Sequence, residues 1–440
     1  MRKLLAVLMA FVLMFMLVGC TLGGTGGGNT DVGGEAGGNG NKDWNSGGSS
    51  GKVLFDKREG VTGTIHVFYP GDPAGDADWQ AIIEGFKKEY PGTQIKVTTA
   101  DWGSRDIKLA QLIRSGDSPD YVPTGINDFP KRAIKGLMMP LDEYIQVSDR
   151  LDTYSMENYT SWDGHTYALI ANRLPACIFY NTTMLKNSTV AESPKELMEK
   201  NEWTWDAMRD MARQLVVDND RDGKADVYGF GTEMDFIFPL SRGTDIVQFN
   251  GAESKLNIDD QTWRDSLLYY YDGINKDKIF SPVRWGLGQA FINGNVAMVF
   301  ASASLAASLE AQNITDWDIV PFPKYSADDE EYIGYINSDG FGVAAGAKNP
   351  IGGLAFGEYK YNYYTKQGIT EGSSVGFSEA QKELLRGVDN RVTWLYGFGM
   401  ESSFCQSFGN YMRANGDFTA LMEEMRPTWQ KNLNDTLKGR

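Results

Sequence analysis

The chain is rich in carboxylates and poor in the groups that usually work beside them. It has 58 Asp and Glu, but only two histidines, His66 and His165, and three cysteines, Cys20, Cys177 and Cys405. No HExxH, GxSxG or GxxxxGK[ST] pattern occurs, so zinc hydrolase, serine hydrolase and P-loop chemistry have no support. One acidic run has metal-ligand spacing. Asp218, Asp220, Asp222 and Asp226 occupy positions 1, 3, 5 and 9 of a calcium loop, with Gly223 at the sixth. The bidentate glutamate such a loop wants at its twelfth position is Gly229 here, so a metal-free Asx turn is the favoured reading and calcium the alternative. Aromatic residues make up 12% of the chain, a somewhat rich supply of flat faces, most of which read as core. Trp79 lies on a helical apolar stripe and Trp205 at a helix start, and both read as core. Trp102 follows a strand beside Asp101 and Gly103, where a loop faces a cleft, and Trp285 stands in "RWGLGQAF" ahead of a helix.

The location of Cys20 bears on where this chemistry happens. Arg2 and Lys3 precede an unbroken apolar run from Leu4 to Val18. A spanning helix needs roughly 20 such residues and a secretory signal roughly 7 to 15, so the run reads as a signal peptide, residues 1–19. Its end, Leu17-Val18-Gly19-Cys20, resembles the lipobox of bacterial lipoproteins, which implies acylation of the Cys20 sulfur and an extracytoplasmic, lipid-anchored protein. The Gly/Asn/Ser-rich stretch that follows, to about residue 60, cannot bury enough surface to offset its ordering entropy and reads as a tether. Cys177 and Cys405 are read as two buried thiols, with a disulfide as the alternative.

About 390 residues remain after the tether's glycine-rich part, enough for two domains or lobes. The net charge of −16 argues against nucleic acid, whose phosphates would repel such a surface. Ile65, Val67 and Tyr69 alternate as in a strand. Trp79, Ile82, Ile83, Phe86 and Tyr90 recur at helical spacing up to the stop at Pro91-Gly92. "TQIKVTTA" reads as a second strand, and Ile107, Leu112 and Ile113 as a second helix. This alternation predicts an α/β lobe with a largely parallel sheet, whose ligand lies beyond the carboxyl ends of the strands.

The order "FKKEYPGTQIKV", "SGDSPDYV", "GLMMPLDEYI", "WDGHTYAL", "EWTWDAMRDMARQL", "DRDGKADVYGFG", "AFINGNVAMVF" and "WDIVPFPKY" is similar to that of extracellular solute-binding proteins of family 1, the maltose-binding-protein-like group serving ABC importers. The resemblance runs from about residue 61 to the C-terminus. It implies two α/β lobes joined by crossing segments: lobe one at about 61–173 and 340–395, lobe two at about 178–335 and 398–440. The crossings are expected near Arg173–Ala176, Ser338–Gly340 and Tyr396–Gly399. It further implies ligand contacts at Tyr69, Asp72 and Asn127 on lobe one. Glu233, Ser302 and Ser304 would supply them on lobe two, and Arg173 and Asp339 beside the crossings. Many relatives carry a tryptophan close to those serines, and this chain has none there. The function implied is a non-enzymatic, monomeric receptor that captures a carbohydrate and delivers it to ABC permease subunits, with no required cofactor. A lipid-anchored carbohydrate-active hydrolase, or a sensing or adhesion receptor without a transporter, are the alternatives.

Overall fold

The structure, a computed structural model, describes residues 60–73, 78–146, 157–283, 285–366, 376–400, 404 and 417–439. Cys20, the signal peptide and tether up to residue 59, and Cys405 lie outside the described residues.

The first lobe is built as the periodicity predicts. Strand β1 (Gly63–Pro70) pairs in parallel with β2 (Thr93–Ala100), in register from Gly63↔Thr93 to Pro70↔Ala100. Between them helix α1 (Trp79–Glu89) buries Trp79, Ile82 and Phe86 on one face and ends at Tyr90, just before Pro91. Helix α2 (Arg105–Arg114) follows β2, and β1 pairs on its other side with Tyr121, next to strand β3 (Val122–Pro123). Ile65, Val67, Trp79, Phe86, Tyr121, Phe341 and Phe356 share one core.

The second lobe gathers around strand β4 (Leu169–Asn181), helix α3 (Trp205–Leu215), β5 (Tyr228–Thr232), helix α4 (Gln261–Asn275), β6 (Val296–Ser302) and β7 (Trp317–Val320). Its core holds Trp203, Trp205, Phe230, Phe238, Trp263 and Trp429. The last of these lies on the C-terminal helix, Phe418–Leu437.

The lobes are joined through β4 and β8 (Ile333–Gly342). With 13 residues, β4 spans roughly 40 Å. Its first half pairs antiparallel with β8, from Leu169↔Phe341 to Pro175↔Ile336. Its second half pairs antiparallel with β6 on one side and β7 on the other. The expected parallel pairing holds at β1–β2 and at β6–β5, while the crossing strands run against their neighbours. A chain that leaves a lobe by one strand and comes back by the next must reverse direction, which makes the adjacent pair antiparallel. Both strands change partners near Pro175 and Ile336.

The third crossing does not fall where expected. Phe377 and Leu385 pack with Cys177, Phe179 and Val299, on lobe two. Residues 389–391 pair in parallel with 333–335, and Leu395, Phe398 and Met400 belong to the lobe-two core. Lobe one therefore does not extend to about residue 395. The chain changes lobes between Tyr364, packed on the lobe-one core, and Phe377. Gly397, which reads as a hinge glycine in the sequence, has another reason to be glycine: a Cβ there would collide with the Phe129 carbonyl oxygen.

Gly340 marks the irregularity in the β8–β4 register, and a Cβ there would collide with the Leu169 carbonyl oxygen and stand 2.9 Å from that of Thr124. Both obstacles are backbone, so neither can turn aside. Gly340→Ala is expected to lower unfolding stability by about 1–3 kcal/mol, read from the urea midpoint.

Candidate functional site

At the carboxyl end of β1, Tyr69 packs edge-on against Trp79 with ring centroids 4.6 Å apart, and the chain turns at Gly71 to expose Asp72. The end of β2 brings Asp101 and the half-buried Trp102 alongside. Gly71, Asp72, Thr99, Asp101, Trp102 and Gly103 line a recess of about 680 Å³. It sits beyond the strand ends, where an open α/β sheet receives its ligand.

Beside the crossings, Asn127 of lobe one donates from Nδ2 to Asn337 Oδ1 (3.0 Å) and accepts from the Tyr335 hydroxyl (3.4 Å). Arg173 stands opposite Ser338 in the β4–β8 register, and burial lowers its pKa to about 10. Asp339, opposite Asn172, is raised by burial, with nearby Lys360 pulling the other way and Asp128 adding to the rise.

On lobe two, Glu233 follows β5, and its Oε1 accepts the Leu287 backbone N–H (2.8 Å), which fastens the segment carrying the half-exposed Trp285. Ser302 ends β6 opposite Ala176 of β4 and accepts the hydroxyl of Ser304 at 3.0 Å. The ten predicted residues thus fall into three groups, one on each lobe and one on the crossings. The lining of the Trp102 recess does not include Arg173.

The Asp218 run forms a loop whose Asp218, Asp220 and Asp222 carboxylates lie within 4.8 Å of one another. The loop also closes on itself. Asp218 accepts from Gly223 N, Asp220 from Asp222 N, and Asp222 from Lys224 N. Asp226 turns to Asn219 N and stands outside that group. Gly229 cannot be the missing glutamate, because a Cβ at that place would collide with the Ala212 carbonyl oxygen.

A second cavity, of about 620 Å³, was not foreseen from the sequence. Its lining includes Tyr159, Asp245, Phe249, Asp260, Arg391 and Trp394. Phe249 and Trp394 stack with centroids 3.9 Å apart and planes 17° from parallel, and Trp162 lies 6.3 Å from Phe249. Asp245 accepts hydrogen bonds from Trp394 N (2.6 Å), Ile246 N (2.7 Å) and the Thr393 hydroxyl (2.9 Å). Ile126, Ile170, Ile336 and Val392 pack next to Tyr159 and Trp394, so this cavity borders the seam between the lobes. The only hint in the sequence is an aromatic residue just before the misplaced third crossing.

Cys177 is a buried free thiol whose pKa burial pushes far up, so it is inert. His66 is buried, with Nε2 2.7 Å from the Thr98 hydroxyl, and His165 pairs with Asp142 at 3.0 Å.

Two α/β lobes, two shared strands and polar and aromatic rims at the strand ends define a two-lobed binding protein. The chain belongs to the bacterial extracellular solute-binding protein family, whose sequence profile matches residues 70–360. This is a family of binding proteins, not of enzymes. The chain is similar to an ABC substrate-binding protein of Listeria monocytogenes solved with cycloalternan (17% identity, 86% of this chain and 100% of that one, TM-score 0.63). It is similar as well to the maltose/maltodextrin-binding domain MalE of Bdellovibrio bacteriovorus bound to maltotriose (16%, 84% and 100%, TM-score 0.63). A third likeness is to an Agrobacterium vitis solute-binding protein with bound D-mannitol (14%, 85% and 99%, TM-score 0.61). At these identities the likeness is one of fold. Among the described residues, no helix is long and apolar enough to cross a membrane.

Asp245 gives a pH prediction. Burial pushes its carboxyl up to about 6, and its three hydrogen bonds offset only part of that rise. An unfolded Asp titrates near 3.9, so between about pH 4 and 6 the folded chain holds a proton that the unfolded chain has lost. Asp245 therefore contributes stability at low pH that is lost as pH rises through 6. In urea unfolding, the stability at pH 4.5 minus that at pH 7 should be smaller in Asp245→Asn by up to about 2 kcal/mol.

Proposed function

We propose that the chain is the solute-capturing receptor of an ABC importer, holding an oligosaccharide between its lobes and passing it to permease subunits. The carrying observation is the Trp102 recess. An indole flanked by the carboxylates of Asp72 and Asp101 opens at the strand ends of lobe one, a combination that serves a sugar's ring face and its hydroxyls together. Arg173 adds a donor fork on the crossing strand, in surroundings where burial makes each hydrogen bond to it count for more. Relatives of the same fold that were solved with cycloalternan and maltotriose support the choice of solute class. Glu233, Ser302, Ser304 and Trp285 supply the opposing rim, and Tyr69, Asn127 and Asp339 the remaining contacts. The receptor acts as a monomer and needs no cofactor. The Asp218 loop is a metal-free turn closed by its own backbone bonds. Residues 1–19 are a cleaved signal, and acyl chains on Cys20 anchor residues 20–60 as a tether, each buried methylene contributing about 0.8 kcal/mol.

A thermal-shift screen over maltotriose, mannotriose, cycloalternan and mannitol tests the reading, because a ligand of the folded state raises stability by about 2.7 kcal/mol at a hundredfold excess over Kd. For a sugar that binds, Trp102→Ala and Arg173→Ala should each weaken affinity roughly tenfold to a hundredfold in calorimetry, with little change in the unliganded melting point. Unchanged affinity with a markedly lower melting point would instead make both residues packing groups. The anchor is checked separately: Cys20→Ala should move folded protein from the membrane fraction to the soluble one, and retention after detergent-free washing would count against acylation.

A further inference from the structure

We infer that Arg105 is a positioning residue that fastens the Trp102 loop to the Asn127 loop, so that two stretches of the lobe-one rim behave as one body. This rests on the proposal that both loops face the solute. Arg105 opens α2, directly after the turn 102–104. Its Nη1 donates to the Trp102 carbonyl oxygen at 2.8 Å and its Nη2 to Asp128 Oδ1 at 3.0 Å, while the guanidinium stands 5.3 Å from the Trp102 ring centroid. The second Asp128 oxygen accepts the Gly125 backbone N–H at 3.2 Å, closing the short loop that displays Asn127. One guanidinium thus holds the backbone under the indole with one arm and the carboxylate that shapes the Asn127 loop with the other. A lysine ammonium, a point charge on a flexible stem, lacks that fixed fork.

A neighbouring arginine separates this role from folding. The Arg132 side chain is fully buried, pairs with Asp106 at 2.9 Å and Asp128 at 3.2 Å, and donates to the Pro123 carbonyl at 2.7 Å. It holds the inside of the loop. The Arg105 side chain keeps 30% exposure and reaches across from another element, and Arg132 still pairs with the mostly buried Asp128 when Arg105 is lost. Burial alone would raise Asp128, but the guanidinium groups of Arg132 and Arg105 outweigh it and keep the carboxylate ionised. The link is therefore charge-assisted, and losing Arg105 loosens the rim more than the fold.

The test needs no known ligand. Full-length protein labelled with 5-fluorotryptophan gives a Trp102 fluorine signal, assigned by its loss in Trp102→Phe. Arg105→Met, which keeps the apolar stem, should shift and broaden that signal with a nearly unchanged melting point, and Arg105→Lys should restore it only in part. Asp128→Asn should disturb the Trp102 signal through Arg105, and should add nothing further in the Arg105→Met background. Asp128→Glu serves in the same cycle if Asp128→Asn does not fold. An undisturbed Trp102 signal in the folded Asp128 variant, or an equal disturbance with and without Arg105, overturns the inference. A maltotriose titration adds a functional arm: Arg105→Met should bind about tenfold more weakly than wild type. If wild type ignores maltotriose and mannotriose alike, the solute reading fails while the fluorine cycle still decides the role of Arg105.

Discussion

The shared strand β4 is the constraint on which the rest of the structure depends. An extended backbone offers hydrogen-bonding groups to both sides, and buried ones must be met. β4 meets this by changing partners midway: β8 serves residues 169–175, and β6 and β7 serve 176–181. The pleat then sorts its side chains. Ala176, Ile178 and Tyr180 enter the large lobe-two core, whereas Cys177 and Phe179 enter the layer behind it, the alternation a strand imposes. Both shared strands pass from one lobe to the other around Pro175 and Ile336. Arg173, Asn337 and Asp339 occupy that short stretch, so the polar groups on the crossings sit where the lobes' relation is set.

Electrostatics around the seam follows from what each buried carboxylate meets. Asp128 faces two guanidinium groups and is held below the usual carboxylate range in spite of burial. Asp106, between Arg132 and Lys131, is likewise held below that range. The influences that set Asp245 are burial and three hydrogen bonds, and burial prevails. One kind of side chain thus yields a permanent charge on lobe one and a titrating group at the seam. Removing Arg132 would leave Asp106 and Asp128 under-neutralised in a buried place, a far larger loss than breaking an exposed pair.

The sequence discloses what is local. β1, α1, β2 and α2 follow from alternation and helical spacing within windows of about ten residues, and Trp102 stands out because it directly follows a strand. Trp79, read as core from its helical stripe, and Trp205, read as core at a helix start, are buried. The first two crossings came from the resemblance to a family and not from periodicity. The third came from the same resemblance, and the glycines near it look alike on the page whether they serve a hinge or a close approach. Gly397 is needed for close approach to the Phe129 carbonyl, not for a change of direction. Pairings between distant segments had no local sign either. Nothing near Asp245 marks it among so many acids as the acceptor for Thr393 and Trp394, and the Asn127–Asn337 bond joins residues that no pattern relates.

The two rims are built by different means. On lobe one, the ends of β1 and β2 are backed by a fully paired parallel ladder, and the Trp102 turn is tied by a guanidinium to an ionised carboxylate. On lobe two, the Glu233 carboxylate accepts the Leu287 backbone amide, Ser302 and Ser304 bond to each other, and Trp285 stays half exposed. Charge-assisted bonds are shorter and stronger than neutral ones and fix direction as well as distance. A rim fixed in this way offers a prepared recess and loses little entropy when a ligand enters it. The ionic network of Arg105, Asp106, Asp128, Lys131 and Arg132, which supplies this fixity, lies on the lobe-one side of β4.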